Sequence, residues 1–487
     1  MSNAASEARL RADGSELRDE HGRQRILHGI NLVAKGRTGT YDRQSFRGEW
    51  TEDDLRQLAD RGLTFVRLGF IWAAIEPEPG RIDVDYLDWL EDQVDALHEA
   101  GLWVVLDAHQ DLYSQLFSDG APDWATLTEA AFRPSSLWSD GYLSSTAVQQ
   151  ALDAFWDNAA APDGIGLQDH FAACWRRVAA RLGGHPAVIG YDLCNEPAPG
   201  SRSNEIGRLI FTAAAAATDE PLEELLAGWD EEATRSDLLN RLDDVTVHRA
   251  IGDAAAGAVA DFERRQVAPM MERIRTAVRE VDPDTLLLRE HSYFANLGIP
   301  SGQPPLADQN WAYSPHGYDL TVDTAATAQA SDTRAATIFA RHAETAERLG
   351  VPVVVGEWGG LGGHSGAARH GRFLLDLFDR YGWGWCYWCW HPGFSGSWEQ
   401  DLLERPRPVA IAGDRTRWAI DLDGVFTVTW DGRPASAPSL LWLPADYQIT
   451  AADRDGRPVT AESQGHLVTI AAGTGDYRLT AARASKS

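Results

Sequence analysis

The 487-residue sequence predicts an α/β fold, a (β/α)8 TIM barrel followed by a C-terminal antiparallel β-sandwich domain. Three observations predict it. Eight short β-branched or aromatic runs lie between residues 26 and 405. Long helical patterns separate most of them. After Arg405-Pro406-Arg407-Pro408 the helical patterns stop and short alternating runs begin. Strands alternating with amphipathic helices make a parallel sheet with crossover helices, and eight such repeats close into a barrel.

In chain order, Ser15 to Arg18 and Arg25 to Leu27 flank Asp19 to Gly22, so residues 1–25 read as a tail and a hairpin leading into the first barrel strand. Barrel strands are expected at Ile26 to Val33, Phe65 to Phe70, Trp103 to His109, Val188 to Glu196, Thr285 to Glu290, Trp311 to Tyr318, Val351 to Trp358 and Trp383 to Trp390. Helices are expected at Thr51 to Arg61, Asp85 to Ala100, Leu167 to Leu182, Val259 to Val281, Thr333 to Leu349 and Ala367 to Tyr381.

The connections after the third and fourth strands are far longer than a barrel requires. The excess material, about 110–166 and 200–258, belongs on the C-terminal face, where barrel active sites form. Within the second insertion, Leu222, Leu225, Leu226, Trp229, Leu238, Leu239 and Leu242 are spaced like short amphipathic helices. They serve either as packing decoration or as a lid or apolar wall beside a substrate. The final 406–487 unit shows short strands at Ala419 to Leu422, Phe426 to Trp430, Ser439 to Leu443, His466 to Ile470 and Tyr477 to Thr480, divided by turns such as Asp431-Gly432 and Asp455-Gly456.

Composition narrows the function. A net charge of -28 argues against a nucleic-acid partner, because that affinity comes from Lys and Arg neutralising phosphates. The same charge disfavours stable binding to anionic membranes. No apolar stretch is long enough to span a bilayer, so stable membrane insertion is not expected. Met1 to Gly22 lacks the apolar core of a secretory signal, and four cysteines, Cys174, Cys194, Cys386 and Cys389, do not look like a disulfide framework. A cytoplasmic location is therefore expected.

Two expected strands end in glutamate: Val188 to Pro197 carries Glu196, and Val353 to Trp358 carries Glu357. Pro197 stops the first ladder, since it lacks an N–H. On the fourth and seventh strands of a barrel, the two carboxyls face each other across the mouth. That is the arrangement retaining glycoside hydrolysis requires, with one carboxyl protonated to assist the leaving group and one ionised to attack the anomeric carbon. A strand-end glutamate on its own is more often solvated or salt-bridged; the pair makes the case.

With these residues in place, the chain resembles glycoside hydrolase family five of the cellulase-type clan, and most of all its endoglycoceramidase-like and glucosylceramidase-like branch. The resemblance covers nearly the whole chain. It is carried by Asp19 to Asn31, Phe65-Val66-Arg67-Leu68, Leu106 to Asp111, Asn195-Glu196-Pro197, Ser314 to Tyr318, Gly356-Glu357, Tyr387-Trp388 and the final β-sandwich. It implies that Glu196 is the acid/base and Glu357 the nucleophile. Asn195 would bond the sugar 2-hydroxyl, Arg67 and Tyr318 would hold Glu357 ionised, and His316 would lie near the pair. His109 and Asp111 would bind sugar hydroxyls, Trp388 would form an aromatic platform under the sugar, and Lys35 and Trp156 would make further sugar contacts. Glu196 is then expected with a raised pKa and Glu357 with a depressed one.

Other signals carry less. Cys386 and Cys389 sit three apart on an expected strand, which puts them on opposite faces and makes them structural, not a metal or redox pair. Gly356 to Gly363 lacks a phosphate-loop lysine and reads as a loop at the mouth. The expected activity is a metal- and cofactor-independent retaining β-glycosidase acting on a β-glucoside or β-galactoside with an apolar aglycone, such as a glycosylceramide, steryl or aryl glucoside. The alternatives are an endoglycoceramidase releasing an intact oligosaccharide, an endo-β-glucanase, and, from another class, a non-catalytic carbohydrate-binding protein.

Overall fold

The eight parallel barrel strands form in the expected order: β1 His28–Val33, β2 Phe65–Ile71, β3 Trp103–His109, β4 Val188–Asp192, β5 Leu286–Arg289, β6 Trp311–Tyr313, β7 Val354–Gly359 and β8 Gly384–Trp388. This is a computed structural model, and it describes residues 9–39, 41–229 and 232–484. Met1 to Ala8 of the expected tail lie outside the described residues.

Strand β6 is split, with His316–Gly317 forming a separate two-residue piece that pairs with β7. The interruption falls at Ser314-Pro315, where proline has no N–H to give to the ladder. The ring closes through a parallel bridge between Tyr313 and Val353 and through β8 pairing with β1. β4 ends at Asp192 and not at Glu196 as expected, because Glu196 takes φ 42°, a left-handed backbone that no strand can continue.

The expected helices form at Glu52–Asp60, Val84–Glu99, Leu167–Leu182, Asp332–Leu349 and Ala368–Tyr381. Thr51 caps the first of these in a reciprocal capping box with Asp54. The expected Val259 to Val281 helix begins earlier. It runs as Val245–Phe262, passes through a π-helical turn at Glu263–Val267 and continues as Ala268–Arg279. Pro269 lies just past the π turn, where its missing N–H is accommodated. The rest of the second insertion folds as Ser203–Thr218, Leu222–Trp229 and Glu232–Asn240.

The C-terminal unit is two antiparallel sheets. Three of its longer strands have no clear signal in the sequence: Arg407–Ile411, Tyr447–Arg454 and Ala461–Gln464. Flanking prolines give the first the look of a linker, and the other two alternate weakly because they are largely exposed. The N-terminal strands also belong here. Glu16–Arg18 pairs with Gln24–Arg25 as the expected hairpin, and Gln24–Arg25 then pairs with Arg407–Ile411. The first residues therefore complete a sheet of the sandwich, whose core holds Ile26, Ile411, Trp418, Phe426, Val428, Leu441 and Leu479.

Candidate active site

Barrel register brings the site together. Asn31 of β1 lies beside Arg67 of β2, Asp107 of β3 beside Asp192 of β4, and His316 beside Glu357 of β7. Gly356 makes the last approach feasible: a Cβ there would lie 2.5 Å from Ser314 Oγ and 2.7 Å from His316 Nε2.

Arg67 is the hub. Its buried guanidinium donates to Asp192 Oδ2 at 3.0 Å, Glu357 Oε1 at 2.7 Å, Glu290 Oε1 at 2.8 Å, and the amide oxygens of Asn31 and Asn195, each at 3.0 Å. Asp107 Oδ1 lies a further 2.8 Å away. A buried guanidinium alone costs several kcal/mol, so this fan of acceptors is what makes its position tenable. Burial would lower its pKa, but Asp107, Asp192, Glu357 and Glu290 together hold it well above the ordinary value.

Glu357 receives Arg67 on Oε1 and the Tyr318 hydroxyl on Oε2 at 2.6 Å. Glu196 Oε1 accepts from Asn296 Nδ2 at 2.6 Å and lies 3.1 Å from His316 Nδ1. Glu196 is held in its left-handed conformation by its own N–H donating to Glu290 Oε2 at 2.7 Å and by Gln110 Nε2 donating to its carbonyl at 3.1 Å. An oxygen of Glu196 and one of Glu357 lie within 4.8 Å of each other and of His316.

The charge states of the site reverse the expectation. Burial works to raise the Glu196 carboxyl, but the His316 bond and charge and the Asn296 bond hold it below its ordinary value. Burial pushes the Glu357 carboxyl up to about 7, against His316 and Arg67 and reinforced by Glu196. His316 is itself raised well above its ordinary value despite burial, because Glu290, Glu357 and Glu196 surround it. The reason is sharing: Arg67 answers four carboxylates, so Glu357 receives only part of its charge.

The other expected residues fall as follows. Lys35 is ion-paired to Asp111, lies 4.0 Å from Asp119 and stands 4.7 Å over the Trp388 ring. His109 stacks on Trp388 at 5.2 Å, and its Nδ1 meets Asp107 at 2.8 Å. Its buried Nε2 has no hydrogen-bond partner among the described residues. Asn195 is engaged at both ends within the protein, by Arg67 and by the Gln110 carbonyl. Trp156 lies outside the main cavity, against a small neighbouring void, and donates to the Ala198 carbonyl at 2.9 Å. Its ring packs against Phe155 and Phe262.

Glu196, Glu357, Lys35, His109, Asp111, Tyr318 and Trp388 line one cavity of about 540 Å³. Much of the rest of its wall is apolar and comes from the second insertion, through Ile210, Phe211, Leu225, Trp229, Leu238, Leu239 and Ile251, with Arg241, Asp319 and Asp323 also on the lining. The insertion is thus a wall of the site. Among the described residues, three buried carboxylate and imidazole groups have the spacing of a cation site, His109–Asp111–Asp119, Asp192–Glu290–His316 and Glu196–His316–Glu357. Lys35 neutralises the first and Arg67 serves carboxylates of the other two, so these donor sets suit ion pairing better than a metal.

Sequence reasoning misses Asn31, Asp107, Asp192, Glu290 and Asn296. Asp107 stands two residues before His109 on the same face of β3, and Glu290 ends an expected strand, so period and position could have found both. Asn296, in the one-turn helix Tyr293–Leu297, has no such signal.

The family profile described as Cellulase (glycosyl hydrolase family 5) matches residues 26–393. Endoglycoceramidase I of Rhodococcus hoagii is 27% identical over 488 residues, covering 95% of this chain and 86% of the relative. Glucosylceramidase of Cryptococcus neoformans is 28% identical over 251 residues, 40% of this chain and 34% of the relative. The solved structure of endo-glycoceramidase II from Rhodococcus sp. in complex with ganglioside GM3 superposes with a TM-score of 0.73 at 28% identity, covering 97% of this chain and all of the other.

Proposed function

The chain belongs to glycosyl hydrolase family 5 and is a glycoside hydrolase, and on that premise we propose that it is a retaining β-glycosidase for glucosides or galactosides with an apolar aglycone. The observation that carries this reading is one cavity with a close carboxyl pair at its polar end and an apolar wall beyond it. An oxygen separation within 4.8 Å supports retention, for which the carboxyls stand ~5 to 5.5 Å apart, over inversion, for which ~6.5 to 9.5 Å is needed to admit a water.

In the first step Glu357 attacks the anomeric carbon while Glu196 protonates the glycosidic oxygen, and the aglycone departs along the apolar wall. In the second, Glu196 takes a proton from water as that water displaces Glu357. The proton that burial favours on Glu357 must therefore reach Glu196 when substrate binds. His316 Nδ1, 3.1 Å from Glu196 and 3.5 Å from Glu357, lies between the two carboxyls and stabilises whichever of them is ionised. A bound glycosidic oxygen favours protonated Glu196, while Arg67 and Tyr318 favour ionised Glu357.

A glycosylceramide, steryl glucoside or aryl glucoside suits the cavity. Release of an intact oligosaccharide is the second reading. It is favoured by the partial exposure of Lys35 at the glycone end and by the similarity to proteins named endoglycoceramidase. No helix among the described residues is long and apolar enough to cross a membrane, and four unpaired cysteines support work in a reducing compartment such as the cytoplasm. The test is time-resolved proton NMR of hydrolysis of an aryl β-glucoside and an aryl β-galactoside. The β-anomer appearing first supports the proposal; the α-anomer appearing first overturns it.

A further inference from the structure

The turn after β5 places an amide on the acid/base that the family reading does not use. Tyr293–Leu297 is a single 3-10 turn closed by Gly298 at φ 85°. It is fixed from both sides: the Tyr293 N–H donates to the Pro197 carbonyl at 2.9 Å, and the Leu297 carbonyl accepts from His248 Nε2 at 2.8 Å. Phe294 packs with Ile206, Ala255, Val259 and Ile299. Asn296, buried within this frame, has its Nδ2 2.6 Å from Glu196 Oε1.

Resting on the assignment of Glu196 as acid/base, we propose that Asn296 is a positioning residue that pins Glu196 Oε1 as the proton-free oxygen, so that Oε2 alone exchanges the catalytic proton. Oε1 faces two donors, the Asn296 amide and His316 Nδ1. A proton on Oε1 would leave that oxygen able to accept from at most one of the two. In the first step the O–H bond on Oε2 breaks as the proton passes to the leaving oxygen, and Glu196 becomes a carboxylate. In the second, Oε2 accepts a proton from the attacking water. The Asn296 bond strengthens as negative charge develops on Glu196, which happens in the first step, so it assists proton donation to the leaving oxygen.

The same turn lines the apolar part of the cavity through Phe294 and Leu297, joined by Ile299 just after it. The group that holds the base is thus built into the wall along which the aglycone leaves. Other charged or titratable groups act on Glu196 as well. His316 and Glu357 come from the sixth and seventh strand positions, Glu290 and His291 from the end of β5, and Asp107 and His109 from β3. These remain when Asn296 is replaced, so the effect of the substitution is a shift and not abolition.

The experiment compares Asn296→Ala and the isosteric Asn296→Asp with the unaltered chain on 2,4-dinitrophenyl and 4-nitrophenyl β-glycosides, across pH. A dinitrophenolate leaves without acid assistance and a 4-nitrophenolate draws on it more, so the difference between the two substrates reports proton donation by Glu196. The expected result is a basic limb moved up by about one pH unit in Asn296→Ala and further in Asn296→Asp, with kcat/KM on the 4-nitrophenyl substrate down about tenfold and that on the dinitrophenyl substrate nearly unchanged. An unchanged pH profile with uniformly reduced kcat would make Asn296 merely structural and overturn the proposal. Asn296→Asp keeps the side-chain shape, so a fold defect in the alanine variant leaves the test intact. Glu196→Ala with azide separates the two levels: formation of a β-glycosyl azide supports the acid/base assignment, whereas full hydrolytic activity without azide would overturn that assignment and this inference together.

Discussion

At Glu357 a single side chain couples stability to chemistry. Burial raises its carboxyl to about 7, against ~4.3 in an unfolded chain. A raised carboxyl pKa contributes stability that is fully present below the unfolded value and is lost as pH rises through the folded one. Glu357→Gln removes this dependence. The variant should gain on the unaltered chain between pH 5 and pH 8, by up to about 3 kcal/mol, in urea unfolding; a pH-independent difference would contradict a raised Glu357 carboxyl. Arg67→Lys should be far worse than its label as a conservative change suggests. One ammonium cannot serve Asp192, Glu290 and Glu357 as the guanidinium fork does. A fall in kcat/KM of at least ~10²-fold and a loss of about 3 to 5 kcal/mol in stability are expected. Glu196 and Glu357 were legible as a pair because strand order puts them at one rim, and the family resemblance set Arg67, His316 and Tyr318 beside them. Their protonation was not, because it depends on how many carboxylates share Arg67, a count that only the folded barrel makes.

Among the elements, the second insertion shapes the cavity. Its helices Ser203–Thr218 and Leu222–Trp229 present Ile210, Phe211, Leu225 and Trp229 to the cavity, as the leucine spacing had allowed without distinguishing wall from decoration. Ile210 and Phe211 are only partly buried, so polar replacements there should spare the fold. Burying one such side chain against an aglycone is worth ~1.5 to 3 kcal/mol. Phe211→Asn should therefore raise KM for a long-chain alkyl or lipid glycoside at least tenfold and leave methyl glycoside kinetics nearly unchanged. Equal effects on both substrates would place the insertion away from the aglycone. The split of β6 and the early end of β4 were missed at this scale for local reasons. Pro315 removes a ladder donor, and Glu196 turns left-handed at the point where its side chain must meet Asn296 and His316.

Over the whole molecule, barrel and sandwich are joined by side chains that neither would bury alone. Trp418 of the sandwich donates to Asp379 Oδ1 at 2.6 Å, Arg405 meets Asp379 Oδ2 at 2.6 Å, and the Arg407 guanidinium lies between Trp385 of β8 and Trp442. Since the strand Gln24–Arg25 belongs to the sandwich sheet and runs straight into β1, the two units share one chain entry and one interface. Truncation before residue 406 should give insoluble protein, and the full chain should unfold in a single calorimetric transition; two separated transitions would show independent domains. The proposed mechanism requires a single covalent bond between sugar and protein, at Glu357. The most direct measurement is mass-spectrometric peptide mapping after inactivation with 2-deoxy-2-fluoro-β-glucosyl and -galactosyl fluorides. A single label on Glu357 is predicted, whereas a label on Glu196, on any other residue, or on none would contradict the claim.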